Sequence, residues 1–87
     1  MYKVSVERKV ERQITALHPS DQERVIESID KLPQTFTKPK PSPHLKKLVG
    51  EPGAWRLRVG DVRILFYQNK QKNLLEIYKV GYRGGVY

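Results

Sequence analysis

The sequence predicts an α+β fold in which residues 1–87 form one domain, with an N-terminal helical hairpin covering one face of a sheet of about four strands. Three observations predict it. Two apolar/polar alternations meet at Gly60-Asp61, a two-residue break that signals a β-hairpin. Two stretches of helical period precede them, and a fourth alternating run follows. Amphipathic helices joined by a short turn need a sheet face to cover.

In chain order, Tyr2-Lys3-Val4-Ser5 reads as a short first strand. The period then changes: Val6, Val10, Ile14 and Leu17 fall on one helical face, with Glu7 and Glu11 near the positive end of the helix dipole. His18-Pro19 stops that helix, and Ser20-Asp21-Gln22-Glu23 has the spacing of a capping box that starts a second. Val25, Ile26, Ile29 and Leu32 form its apolar stripe, and Pro33 ends it. Residues 33–43 hold four of the six prolines, which predicts a stiff extended strap. The run Leu45 to Gly53 leads into the hairpin, Asn69 to Asn73 is a turn, and Leu74 to Val80 is the last strand. There Leu75 and Ile77 point one way and Leu74, Tyr78 and Val80 the other, as in a central strand apolar on both sides.

A two-residue loop fixes the hairpin register: Val59 opposite Val62, Arg58 opposite Arg63, Leu57 opposite Ile64, Arg56 opposite Leu65 and Trp55 opposite Phe66. Trp55, Leu57, Val59, Val62, Ile64 and Phe66 then form a core face, and Arg56, Arg58 and Arg63 lie on the other. Like charges opposed across a sheet destabilise it, so stability alone would not favour this row. Guanidiniums fixed on one rigid face suit an anion, phosphate above all. The alternative is a solvated strand face in a basic protein.

Composition narrows the chemistry. A chain of this length buries only ~60% of the surface its unfolded form exposes, so the core must be compact. There is no cysteine, hence no disulfide and no thiolate, and no apolar run reads as a membrane span or signal peptide, so a cytoplasmic protein is expected. The net charge of +8 is lopsided: residues 1–37 are balanced, whereas residues 38–87 hold eleven Lys/Arg against Glu51, Asp61 and Glu76. That is the footprint of a polyanion partner. The two histidines, His18 and His44, have no ligand spacing and read as surface residues, and no phosphate-binding glycine loop or nucleophile motif occurs. No metal or cofactor is expected. Catalysis with Arg, Lys, Tyr and backbone alone requires a substrate that brings its own nucleophile, as RNA does with its 2′-hydroxyl.

The runs Leu45-Lys46-Lys47-Leu48, Gly50-Glu51-Pro52-Gly53, Trp55-Arg56-Leu57-Arg58-Val59-Gly60-Asp61-Val62-Arg63, Val80-Gly81-Tyr82-Arg83 and Val86-Tyr87 closely resemble the RelE/ParE superfamily of type II toxins, the RelE branch in particular. The resemblance covers essentially the whole chain. It implies a microbial-RNase type of fold with a twisted antiparallel sheet. It also implies metal-independent cleavage of mRNA codons in the ribosomal A site by 2′-hydroxyl attack, and inactivation by a cognate antitoxin protein. It makes Arg56 and Arg58 phosphate-stabilising residues, sets Arg63 on the family's motif arginine of the next strand, and makes Arg83 an aid to the leaving group and Tyr87 the residue that orients or activates the 2′-hydroxyl and stacks on the base. Lys38, Lys40, Lys46, Lys47 and Lys79 are the expected surrounding contacts to RNA and ribosome. Tyr82 stands where many relatives have histidine. A ParE-like inhibitor of DNA gyrase shares the fold and much of the pattern, and a noncatalytic RNA-binding or inactive member is the third alternative.

Overall fold

A five-stranded sheet in the order β1-β5-β4-β3-β2 carries two helices on one face. The computed structural model describes residues 1–38 and 42–83. The elements are β1 (Lys3–Val6), α1 (Arg8–Thr15), α2 (Pro19–Thr37), β2 (Leu45–Lys47), β3 (Ala54–Val59), β4 (Val62–Asn69) and β5 (Leu74–Tyr82). The α+β class and the helical hairpin are as expected. The sheet differs in two respects: it has a fifth strand, β2, and β1 runs parallel to β5 while every other pair is antiparallel.

The helices differ from the sequence reading at their ends. Val6 closes β1 and is largely exposed rather than opening α1, because the Glu7 amide donates to the Ile77 carbonyl and continues the strand. No capping box forms at Ser20. α2 starts two residues earlier, with Pro19 in the first turn, where its missing N–H costs nothing, and His18 as N-cap. Pro33 does not end α2, which runs on to Thr37. A proline inside a helix costs ~3 kcal/mol. The extra turn brings Phe36 into edge-on contact with Tyr2, Trp55 and Phe66 at centroid distances of 5.5, 5.0 and 5.7 Å. Each such pair adds ~0.5–1.5 kcal/mol to the burial itself. The strap is therefore shorter than expected, and its residues 39–41 lie outside the described residues.

Val10, Val25 and Leu32 from the helices and Leu17 from the turn between them meet Leu57, Ile64, Phe66, Leu75, Ile77 and Val80 from the sheet to form the core. The mixed pattern of β5 has a cause other than two-sided burial. Leu65 pairs with Lys79 and Phe66 with Ile77, so Tyr78 is an extra residue, a β-bulge that returns Val80 to the core face. Beyond Ile77, β1 has ended, and the Val80 amide donates instead to the Gln13 side-chain oxygen of α1 at 2.8 Å.

Candidate functional site

The hairpin has the expected register at every pair from Val59–Val62 to Trp55–Phe66. Its glycine sits at φ +60, a conformation that residues with a Cβ seldom adopt, which is why the tight turn falls at Gly60. The face turned away from the helices carries two rows. In the first, Lys46 of β2 pairs with Arg56 of β3, which pairs with Leu65 of β4, which pairs with Lys79 of β5. In the second, nearer the turn, Arg58 pairs with Arg63, which pairs with Gly81. Just past β5, the Arg83 amide donates to the Asp61 carbonyl at 3.1 Å, tying that residue to the hairpin turn. The sheet therefore brings Arg56, Arg58, Arg63, Lys46 and Lys79 to one face, with the Arg83 backbone tied to the turn beside them.

The arginines are not equivalent. Arg58 is exposed, and its Nη2 lies 3.3 Å from Nδ1 of His44. Arg63 is only 8% exposed, and its Nη1 donates to the carbonyls of Gly60 at 3.2 Å and Val62 at 3.5 Å. It is a buried cation lying against the turn rather than part of a solvated row. Arg56 is half-buried, and its Nε is enclosed with no hydrogen-bond partner. A buried donor left unmatched in this way is a group that a bound oxygen would satisfy.

Other expected contacts are dispersed. Lys47 pairs with Trp55, one step out of phase with Lys46. Lys38 caps the end of α2. Lys40 and Tyr87 lie outside the described residues. At the far end of the face Tyr67 stacks on Tyr78 with centroids 4.4 Å apart, and acidic side chains join them, Glu51 accepting from the Tyr67 hydroxyl at 3.4 Å and Glu76 from Asn69 at 3.1 Å. The face thus grades from cationic at the turn to aromatic and acidic at the opposite end.

His44 is the residue that sequence reasoning passed over. Its place follows from β2: the register Leu45–Leu57 sets residue 44 across from residue 58, and the Arg58 amide donates to the His44 carbonyl at 2.9 Å. Arginine has only donors, so the contact is a hydrogen bond in the tautomer whose Nδ1 accepts. Guanidiniums stay charged and cannot exchange protons, whereas an imidazole nitrogen can. The site therefore couples charge stabilisation to a group able to take up a proton.

Tyr82 faces the other way. It pairs with Val62 on the core side, donates to Asp21 Oδ2 at 2.7 Å and accepts from the His18 amide at 3.0 Å. The amide pulls the phenol pKa down, but the Asp21 hydrogen bond, burial and the Asp21 and Asp61 charges outweigh it and leave the phenol above its usual value. It anchors the end of β5 to the α1–α2 turn and does not enter the basic face.

No family model and no curated protein sequence matches the chain. Solved structures do. The RelBE2 toxin–antitoxin complex from Mycobacterium tuberculosis superposes with a TM-score of 0.77 at 23% identity, covering 94% of this chain and 98% of that one. The archaeal RelE–RelB complex from Pyrococcus horikoshii gives 0.75 at 26% identity, covering 95% and 96%. The isolated Escherichia coli RelE toxin gives 0.75 at 13% identity, covering 94% and 84%.

Proposed function

We propose that this chain, whose fold is that of the RelE-like superfamily, is the toxin of a type II toxin–antitoxin pair. Its activity is cleavage of mRNA codons in the ribosomal A site, in the cytoplasm, without a metal. The observation that carries this reading is the convergence of Arg56, Arg58 and Arg63 on the outer sheet face, with the Arg83 backbone tied to the turn beside them. In the reaction the 2′-oxygen bonds to phosphorus and the bond to the 5′-oxygen breaks, leaving a cyclic phosphate and a 5′-oxyanion that takes a proton from solvent to become the 5′-hydroxyl. Negative charge builds on the phosphate oxygens, and fixed guanidiniums stabilise it without reorganising. The enclosed Arg56 Nε and the exposed Arg58 are the donors for those oxygens, while Arg63 sets the local potential from beneath. When Arg58 turns to the phosphate it releases His44 Nδ1, which takes the 2′-hydroxyl proton. Arg83 faces the leaving oxygen, and Tyr87 orients the attacking ribose.

The partners are the ribosome, mRNA and a cognate antitoxin that carries an acidic or amphipathic segment. The exposed β1 edge and the outer surface of the helical hairpin offer it strand addition or helix docking. The test is primer-extension mapping of mRNA ends in a purified translation reaction, with and without stalled ribosomes, beside a gyrase supercoiling assay. Cuts inside A-site codons that need ribosomes and vanish in Arg83→Ala are expected. Intact mRNA with inhibited supercoiling would replace this reading with gyrase inhibition.

A further inference from the structure

Between α2 and the β3–β4 turn lies a groove of about 580 Å³ whose α2 wall the cleavage chemistry leaves unused. Its α2 wall presents Arg24, Glu27, Ser28, Lys31 and Thr35, spaced three or four residues apart and so on one helix face. Arg58 and His44 line the opposite rim, so the groove opens directly off the basic end of the sheet. It exists because β2 pairs only with Trp55, Arg56 and Leu57, leaving the edge of β3 uncovered at Val59 and Gly60.

Its charge is unbalanced. Glu27 is the acid on the α2 wall, and its Oε1 is held by Lys31 Nζ at 2.7 Å. Arg24 has no hydrogen bond or ion pair among the described residues. Its guanidinium lies against the bare turn, where a Cβ on Gly60 would stand 3.4 Å from both Nη atoms. Arg24 and Lys31 are seven positions apart on the helix, ~10 Å at 1.5 Å per residue, a spacing for successive phosphates rather than for one. Serine and threonine hydroxyls between them are further phosphate donors. The exposed large apolar residues, Met1, Val6, Ile26, Val49 and Tyr67, all lie elsewhere. Protein partners are gripped mainly by buried apolar and aromatic anchors, which this groove does not offer.

We propose that this groove holds the backbone of the mRNA strand adjoining the cleaved codon, with Arg24 and Lys31 as phosphate contacts independent of base sequence. The inference rests on the RNA-cutting reading but is tested without cutting. The probe is a short fluorescent single-stranded RNA bearing 2′-O-methyl groups, titrated with the full chain and followed by anisotropy between about 50 mM and 200 mM salt. Arg24→Ala and Lys31→Ala should each flatten the dependence of log affinity on log salt by ~0.7, and the pair by ~1.4. Arg24→Lys should retain binding, and Glu27→Gln should tighten it by roughly 2–5-fold. Wild-type affinity and slope in the double variant, no measurable binding by the parent chain, or displacement by polyglutamate as effective as by polyuridylate would each overturn the assignment. Failure of the cleavage assay with Arg24-dependent binding intact would remove the nuclease reading and leave the groove.

Discussion

Replacing Arg58 by alanine removes one of two guanidiniums that face each other across the hairpin. Opposed like charges cost roughly 0.2–1 kcal/mol on a sheet. Coulomb's law for two charges ~7 Å apart in water gives ~0.6 kcal/mol, within that range. The interaction lost in exchange is an exposed 3.3 Å contact with His44, at the low end of the hydrogen-bond range, ~0.5 kcal/mol, because water competes for it. Arg58→Ala should therefore be between neutral and ~0.5 kcal/mol more stable than the parent, a Tm rise of at most ~2–4 °C. The gain should shrink at ~1 M salt, where the Debye length falls to ~3 Å. Ribosome-dependent cutting should fall at the same time, so stability and activity move in opposite directions. Arg63→Ala has the opposite sign: it removes a buried side chain and the bond to the Gly60 carbonyl, and should cost ~1–3 kcal/mol. Thermal melts of both variants at low and high salt decide the matter. A large Tm loss in Arg58→Ala, or a gain that ignores salt, would refute the placement of the two charges.

Three further outcomes are expected. Phe36→Ala should cost ~3–4 kcal/mol, since it empties the point where Tyr2, Trp55 and Phe66 meet; chemical denaturation measures this, and a loss below ~1 kcal/mol would mean that α2 does not need its last turn. Tyr82→Phe should lower Tm at neutral pH. Because the folded phenol pKa is raised, its contribution is complete below the ordinary tyrosine range and fades as pH rises through the folded value. The parent and variant curves should therefore converge in alkali, and a constant gap would contradict the Asp21 hydrogen bond. His44→Gln should slow cutting at neutral pH with Tm unchanged, whereas full activity would exclude its imidazole as the proton acceptor.

The hairpin was legible residue by residue because two period-two alternations around a glycine leave a single register that buries one face. β2 was hidden: three residues, two of them lysines, carry no alternation, and the strand exists through its pairing with β3. With β2 hidden, His44 had no visible neighbour. The bulge at Tyr78 defeated the period count in β5, and the packing of Phe36 overrode the usual meaning of Pro33. The row of arginines was readable as a row. That Arg63 is buried against the turn while Arg58 stays exposed beside His44 depends on long-range closure of the sheet, which no local pattern records.

The pairing of β1 with β5 sets a condition on synthesis. Lys3 lies beside Leu74, and the Val80 amide is held by Gln13, so the first strand lacks its ladder partner and the first helix its main support until the last strand has been made. A chain emerging from its amino end folds units as they are completed, but here the second neighbour of β4 arrives only at the end. The hairpin that carries Arg56, Arg58 and Arg63 precedes its support in the chain, and a nascent chain that stops before Leu74 should present neither a closed core nor the Arg83 side of the site.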